Sequence, residues 1–221
     1  CAAEKVTPEI VNFMITHGRG QLCMPVLPEV CDRLDLAPMV NQNTTPLGTA
    51  WTVPVDHISA RTGITAQERA TTIRAIMDPA SRPTDFVRPG HLFPLVAKPG
   101  GVLRRAGHTE AAVDLARLSG LAPAGVLCEI LDETGDRANH DRLFALAAQY
   151  GMPVISIEEL IRYRRIREKL VFRQAEALLP TKYGPAKVIA YGVKHESQEP
   201  VVLVFGAVAS VAAPPVRLHS S

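Results

Sequence analysis

The sequence predicts an α+β protein, with helices covering a mixed β-sheet in a three-layer first domain, followed by an incomplete second α/β domain. Three observations predict it. Apolar runs of strand length alternate with segments of helical period at uneven spacing, which favours a mixed sheet over a regular doubly wound one. The 221 residues are 47% apolar, enough to bury a full core and leave something over. After the basic run Arg162-Tyr163-Arg164-Arg165-Ile166-Arg167, too few residues remain to build an independent core. The first domain is therefore expected over 1–165. A linker helix and the opening portion of a second domain are expected over 166–221.

Thr7-Pro8-Glu9 opens the first helix with a hydroxyl N-cap, proline at the first helical position and an early acid at the positive dipole end. Ile10, Val11, Phe13 and Met14 form its apolar stripe, and Gly18 ends it. Residues 21–27, carrying Cys23 and Met24, read as a buried strand, and 28–34 as a short helix. Residues 49–55 are β-rich, with Pro54 placing their end at an edge or a turn. Thr65-Ala66-Gln67-Glu68 matches a capping box and opens a helix to about Met77. Residues 92–96 and 126–131 fit interior strands. Residues 110–118 and 140–150 are helical by period, the second stopped by Gly151. A strand over 154–157 and a helix from 158 to about 170 follow. The arginines of 162–165 suit an exposed helix end near its negative dipole, with a phosphate patch as the alternative. Residues 186–193 and 201–205 read as two strands of a hairpin joined by the polar loop 194–199.

Twenty-four Lys and Arg against 22 Asp and Glu leave a formal charge of +2, too small a field to make nucleic acid or a membrane surface the main partner. No apolar run reaches the roughly 18 residues that cross a bilayer. Cys1, Cys23, Cys31 and Cys128 show no C-x-x-C spacing, so the pattern speaks against structural zinc and suits a reduced cytoplasm, with the thiols as small buried hydrophobes. The chain opens on Cys1 and closes on Leu218-His219-Ser220-Ser221. Both ends read as interior to a longer chain.

The densest polar segment, Arg104-Arg105-Ala106-Gly107-His108-Thr109-Glu110, leads into a helix N-terminus, where free N–H groups and the dipole bind phosphate. Arg105 offers a planar fork and Thr109 a hydroxyl, pointing to an anionic, phosphorylated substrate. The alternative is that Thr109 is only the N-cap and the arginines are solvated. His108, among these donors, can bind a metal or move a proton. In Arg88-Pro89-Gly90-His91, Pro89 and Gly90 are expected to make a tight turn with His91 at its exit. Two Gly-His loops with arginines favour a shared site over isolated structural histidines. Glu129 stands in the apolar run Gly125-Val126-Leu127-Cys128-Glu129-Ile130-Leu131. Buried, such a carboxylate needs a partner and has its pKa raised toward acid–base work; by strand alternation it can instead face solvent.

These residues carry a resemblance. Arg88-Pro-Gly-His91, Arg105-Ala-Gly-His-Thr-Glu-Ala111 and Cys128-Glu129 stand in the order and approximate spacing of 3,4-dihydroxy-2-butanone 4-phosphate synthase, a lyase of riboflavin biosynthesis. Residues 2–9, Leu22-Cys23-Met24-Pro25 and Arg61-Thr62-Gly63-Ile64-Thr65 resemble other parts of that family, so the likeness covers 1 to about 165. Leu178-Leu179-Pro180-Thr181-Lys182-Tyr183-Gly184 resembles the opening of GTP cyclohydrolase II. Val216-Arg217-Leu218-His219-Ser220-Ser221 resembles its GTP-contacting segment, just before that family's first zinc-binding cysteine. The whole is similar to the bifunctional enzymes that fuse the two.

The resemblance implies conversion of ribulose 5-phosphate to 3,4-dihydroxy-2-butanone 4-phosphate and formate, with magnesium or manganese, in a cytoplasmic homodimer. It implies His91 and Glu129 as catalytic groups and His108 as a metal ligand. Arg105, Ala106, Gly107, His108, Thr109 and Glu129 are implied to bind substrate, and Arg217, Leu218, His219, Ser220 and Ser221 to bind GTP in part. Glu68 stands where the family more often has Asp. The family's acidic loop, Asp-Arg-Glu-x-Glu, which supplies a further metal-binding carboxylate, would precede Cys1. This stretch is therefore expected to be impaired as a lyase, and restoring the loop to raise its rate. No cysteine follows Cys128, so zinc belongs only to the cyclohydrolase portion beyond these residues. Two other readings stay open: GTP cyclohydrolase II as the main activity of the parent, and a degenerate, non-catalytic scaffold.

Overall fold

The computed structural model describes every residue except Gln198, Ser220 and Ser221. The chain forms two compact units, Cys1–Tyr163 and Arg164–Ser221.

In the first unit, α1 (Pro8–Gly18) is capped by the Thr7 hydroxyl, which accepts from the Ile10 N–H at 3.3 Å. Arg19, in the left-handed region (φ 68°), turns the chain into β1 (Arg19–Val26). α2 (Pro28–Leu34), β2 (Val55–His57), α3 (Ala66–Met77), β3 (Phe86–Val96), α4 (His108–Leu118), β4 (Leu127–Ile130), α5 (His140–Tyr150) and α6 (Ile157–Arg167) follow. The sheet order is β2-β3-β1-β4, with β1 parallel to β3 and the outer two strands antiparallel to their neighbours. Leu22, Met24 and Val26 of β1 enter a core cluster with Val11 of α1 and Ala70, Ile73 and Ile76 of α3. The alternate Cys23 is also fully buried, so both faces of β1 are covered, as a central parallel strand requires.

Several elements differ from the sequence expectation. Residues 49–55 make only isolated bridges at Trp51 and Thr52, because Pro54 has no N–H to continue a ladder; pairing restarts at Val55 for three residues. Arg88 to His91 form no turn. They lie within β3, after a cis Arg88–Pro89 bond, as a bulge: Val55 pairs with Leu92 while the next residue, Asp56, pairs with Val87. No strand forms over 154–157. The Ser156 hydroxyl accepts from Glu159 N–H and the Glu159 carboxylate accepts from Ser156 N–H, which claims this segment for the start of α6. That helix ends at Arg167 rather than near 170.

The second unit holds the end of α6 and an antiparallel meander of β5 (Val171–Thr181), β6 (Gly184–Val193) and β7 (Val201–Phe205). The sequence reading missed β5. Every residue in it but Thr181 is exposed, so no buried face imprints an alternation. Arg164, expected on an exposed helix end, is fully buried, and its Nε and Nη2 donate to the two oxygens of Glu168 at 2.6 and 2.8 Å. Arg217, Leu218 and His219 are exposed and lie outside regular structure; Ser220 and Ser221 fall outside the described residues. Among the described residues, no helix is long and apolar enough to cross a membrane.

Candidate functional site

The sheet brings His91 and Glu129 to one level. Cys23 pairs with Phe93 on β3 and Leu22 with Cys128 on β4; Gln21 and His91 each stand two residues before the first parallel pair, and Glu129 follows Cys128 where the antiparallel register is irregular. Glu129 Oε2 accepts the Gln21 N–H at 2.8 Å. Leu22 and Leu92 enter the core cluster and Cys128 packs against it, so the alternate residues Gln21, His91 and Glu129 project from the opposite face. All three are exposed. Two strand spacings, about 9–10 Å, separate the backbones of His91 and Glu129. The close approach of β4 depends on Gly20, where a Cβ would stand 2.6 Å from the Glu129 carbonyl and 2.7 Å from its Cβ. Of the two sequence alternatives for Glu129, the solvent-facing one holds: on an edge strand, alternation turns Cys128 inward and Glu129 out.

Beside His91 lies a residue that sequence reasoning missed. Asp56 is 5% exposed, and its two oxygens accept the His91 backbone N–H at 2.8 Å and meet His91 Nδ1 at 2.7 Å. Its only signal in the sequence is an acid between Val55 and His57 in an otherwise β-rich run. A loop covers it. Gly63 has φ +77°, and a Cβ there would come within 1.9 Å of Asp56 Oδ2.

That loop is tied down by Glu68, whose carboxylate accepts the N–H groups of Arg61 at 2.7 Å and Thr62 at 3.1 Å. It also accepts the hydroxyls of Thr62 and Thr65, both at 2.9 Å. The two N–H groups, then the hydroxyls, hold the Glu68 carboxyl down at about 2. Because the folded value lies below the unfolded one, this contribution to stability is complete above the ordinary carboxylate range and is lost as pH falls toward 2. Wild type is expected to lose its advantage over Glu68→Gln across that window. Urea midpoints of both proteins, measured as pH is lowered from neutrality, check this; an advantage that persists undiminished through the window would contradict it.

The segment Arg105 to Thr109 enters α4 through Gly107, the N-cap, which offers no side chain; Thr109 is buried and is not the cap. The first helical bond runs from Ala111 N–H to the Gly107 carbonyl, which leaves the N–H groups of His108, Thr109 and Glu110 beyond the helix ladder. Arg105 faces the protein. Its Nη1 donates to Glu110 Oε2 at 2.7 Å, and its Nη2 to the Leu47 carbonyl at 3.0 Å and the Thr49 hydroxyl at 3.3 Å. Glu110 is fully buried, and its other oxygen accepts the Lys98 N–H. One turn on, the buried Asp114 accepts the Val102 N–H at 2.8 Å. These two acids anchor the loop that precedes α4, and Gly107 leaves them room: a Cβ there would sit 2.4 Å from Arg105 Nη1.

His108 is exposed at the first position of α4, and Ala106 is exposed before it. Among the described residues, no three His, Cys, Asp or Glu side chains converge as a metal site would require. The thiols do not supply one. Burial first, then the nearby Glu129 and Cys128 charges, push the Cys23 thiol up to about 12, and burial pushes Cys31 up to about 11.

The 3,4-dihydroxy-2-butanone 4-phosphate synthase family matches residues 1–163. A riboflavin biosynthesis protein RibBA of Bacillus mycoides (strain KBAB4) is 53% identical over 218 residues, covering 99% of this chain and 55% of that protein. The chain thus spans about half the length of such relatives. The crystal structure of RibBX, a two-domain 3,4-dihydroxy-2-butanone 4-phosphate synthase from A. baumannii, aligns with TM-score 0.84 at 43% identity, over 93% of this chain and 61% of that one. A synthase crystallised with two magnesium ions aligns with TM-score 0.70 at 42% identity, over 75% and 83% of the two chains.

Proposed function

Because this chain belongs to the 3,4-dihydroxy-2-butanone 4-phosphate synthase family, we propose that its first unit is a lyase of riboflavin biosynthesis converting ribulose 5-phosphate to 3,4-dihydroxy-2-butanone 4-phosphate and formate. The observation that carries this reading is the projection of His91 and Glu129 from one face of the sheet, flanking Gln21. Forming an enediol from a ketose phosphate needs a group to take a proton next to the carbonyl and another to return it. Glu129, open to solvent with its carboxylate accepting the Gln21 N–H, moves that proton; His91 is its partner on the next strand but one.

The phosphate handle belongs at the start of α4, where N–H groups at the positive dipole end and the Thr109 side chain receive it. Arg105 supports this loop from behind, through Glu110, and holds residues 47–49 beside it. Binding energy at the phosphate can then serve the reacting carbons.

A divalent cation, Mg2+ or Mn2+, is the cofactor this reading calls for, to stabilise enediolate charge, with His108 as its ligand candidate. The described residues do not complete such a site. A lone imidazole is a poor holder of a hard cation that prefers oxygen, so no step is routed through the ion.

We assign 166–221 to a cyclohydrolase-like portion with no activity of its own. Arg217, Leu218, His219, Ser220 and Ser221 are assigned to binding GTP in part, GTP is a substrate of the bifunctional parent alone, and any zinc belongs to the cyclohydrolase portion of that parent. The protein works in the cytoplasm as a homodimer. Formate release from ribulose 5-phosphate with magnesium, by this chain and by a version carrying the acidic loop ahead of Cys1, tests the proposal. Release that is stronger with the loop is expected. No release from either, with ribulose 5-phosphate unchanged, would overturn it.

A further inference from the structure

We infer that Arg69 is an oxyanion-binding residue, its guanidinium reserved for the enediolate oxygen that forms when a ketose phosphate loses a proton at the His91–Glu129 face. The inference rests on the proposed lyase reading for the identity of that oxygen.

Arg69 makes the first backbone bond of α3, its N–H donating to the Thr65 carbonyl at 2.9 Å. Helical spacing places it on the same face as Thr72, Ile73 and Ile76, all buried. The Thr72 hydroxyl accepts the His57 N–H at 3.0 Å, so this face of the helix is fixed to β2 one residue from Asp56. A long side chain on a helix leans toward the N-terminal end, which carries that of Arg69 past the core to the margin of the sheet. There its charge acts on Asp56, which bonds His91, and on Cys128, which precedes Glu129. Arg69 thus adjoins the neighbours of both groups that the lyase reading uses.

A charged donor withdrawn from water is costly unless it is paired. Other enclosed arginines obey this. Arg33 donates to the carbonyls of Ile76, Asp78 and Ser81, Arg88 to those of Leu34, Phe86 and Pro83, and Arg105 to Glu110 and the Leu47 carbonyl. Arg142 has a buried Nε without a partner, yet its Nη2 pairs with Glu133 at 3.0 Å. Arg69 departs from the pattern: its Nε is buried with no hydrogen-bond partner among the described residues, and no salt bridge among them offsets it. Asp56 directs its oxygens to the N–H and ring of His91 instead. Burial pulls the guanidinium pKa down by more than the charges of Asp56 and Cys128 hold it up. A side chain placed here only for packing would need no charge.

The reaction supplies the partner that the fold does not. When Glu129 takes the proton next to the carbonyl, the C–H electron pair becomes the carbon–carbon double bond and the carbonyl oxygen takes the negative charge. The Arg69 fork donates to that oxygen and stays protonated throughout. A fixed cation of this kind needs no reorganisation as the charge develops. The phosphate is received separately, at the start of α4.

The test compares two ligands that differ at one end. In 4-phosphoerythronate a carboxylate stands where the enediolate charge forms; in erythritol 4-phosphate an uncharged hydroxymethyl replaces it. Calorimetry on the full chain in metal-free buffer measures both without turnover. Wild type is expected to bind the acid about 10- to 100-fold more tightly than the polyol. Arg69→Met should erase that preference while polyol affinity stays within about threefold, and Arg69→Lys should keep part of it. The urea midpoint of Arg69→Met should equal or exceed that of wild type, because an uncompensated charge has gone; an arginine serving the fold alone would give a loss. Its kcat for formate release should fall by about 100-fold or more. Equal binding of the two ligands by wild type overturns the inference even if every variant misfolds, and so does a preference kept by folded Arg69→Met. Binding of neither ligand by wild type would refute the phosphate site of the lyase reading and this inference with it. An acid preference that depends on Arg69, with no formate release from wild type, would sink the lyase reading alone and leave the oxyanion site standing.

Discussion

Glu129→Gln is expected to reduce kcat for formate release by about 10²–10⁴-fold, the range that a positioned acid–base group contributes, while leaving the fold untouched. The separation of these effects follows from position. Glu129 is exposed on the edge strand β4, and its carboxylate accepts the Gln21 N–H, which a glutamine carbonyl can accept equally well. Glutamine also keeps the shape that Gly20 is built around, since the close contacts there involve the Glu129 backbone and Cβ as well as its carboxylate. What glutamine cannot do is take up and release a proton. The midpoint of urea unfolding should thus stay within the range of neutral surface changes, about ±0.5 kcal/mol, while turnover collapses. His91→Ala should be similarly severe. If the two act on one proton path, Glu129→Gln with His91→Ala should be little worse than either alone, because groups that work as a unit are not additive. Turnover of Glu129→Gln within tenfold of wild type would remove Glu129 from the mechanism.

Where helix signals are local chemistry, the structure can be read directly from the residues. Thr7-Pro8, the Thr65–Glu68 box and Gly151 each act within four positions, and α1, α3 and α5 stand where those signals place them. Strands were harder to read. β2 is three residues long and defined by its partner on β3, while β5 pairs along its whole length with β6 yet buries almost nothing, so neither leaves a period-two pattern. The tight turn expected of Pro89-Gly90 failed for a tertiary reason: those residues are accommodated as a bulge because β2 runs alongside. At the site, sequence could nominate His91, His108 and Glu129 by residue type, and register then placed two of them on one face. It could not nominate Asp56, because an acid after Val55 has the same appearance whether it meets solvent or an imidazole 35 positions away. Glu110 and Asp114 were hidden differently. Four apart on an amphipathic helix, they look like a solvated polar face, whereas both are buried and hold the backbone of the preceding loop.

That burial makes Arg105→Ala the substitution with the largest expected cost in stability, about 3–5 kcal/mol. The Arg105–Glu110 pair is asymmetric: the arginine side chain is 24% exposed and the glutamate fully enclosed. Removing the arginine leaves a carboxylate in dry surroundings with the Lys98 N–H as its remaining hydrogen-bond donor among the described residues, a far greater loss than the pair's net worth. Arg105→Lys should recover only part of it, since one ammonium cannot reproduce the fork that reaches Glu110, the Leu47 carbonyl and the Thr49 hydroxyl together. The decisive variant is the double one. In Arg105→Ala with Glu110→Gln there is no stranded charge, so the pair should be more stable than Arg105→Ala alone, with a coupling energy of about 1–3 kcal/mol from the double-mutant cycle. Chemical denaturation of the four proteins measures it. Kinetics then separates the two roles that the sequence left entangled in Arg105. If the arginine supports the loop from behind, the double variant should regain stability while KM for ribulose 5-phosphate stays raised, because residues 47–49 and the start of α4 are no longer tied together. Simple additivity of the two substitutions would show that the buried pair does not hold this loop.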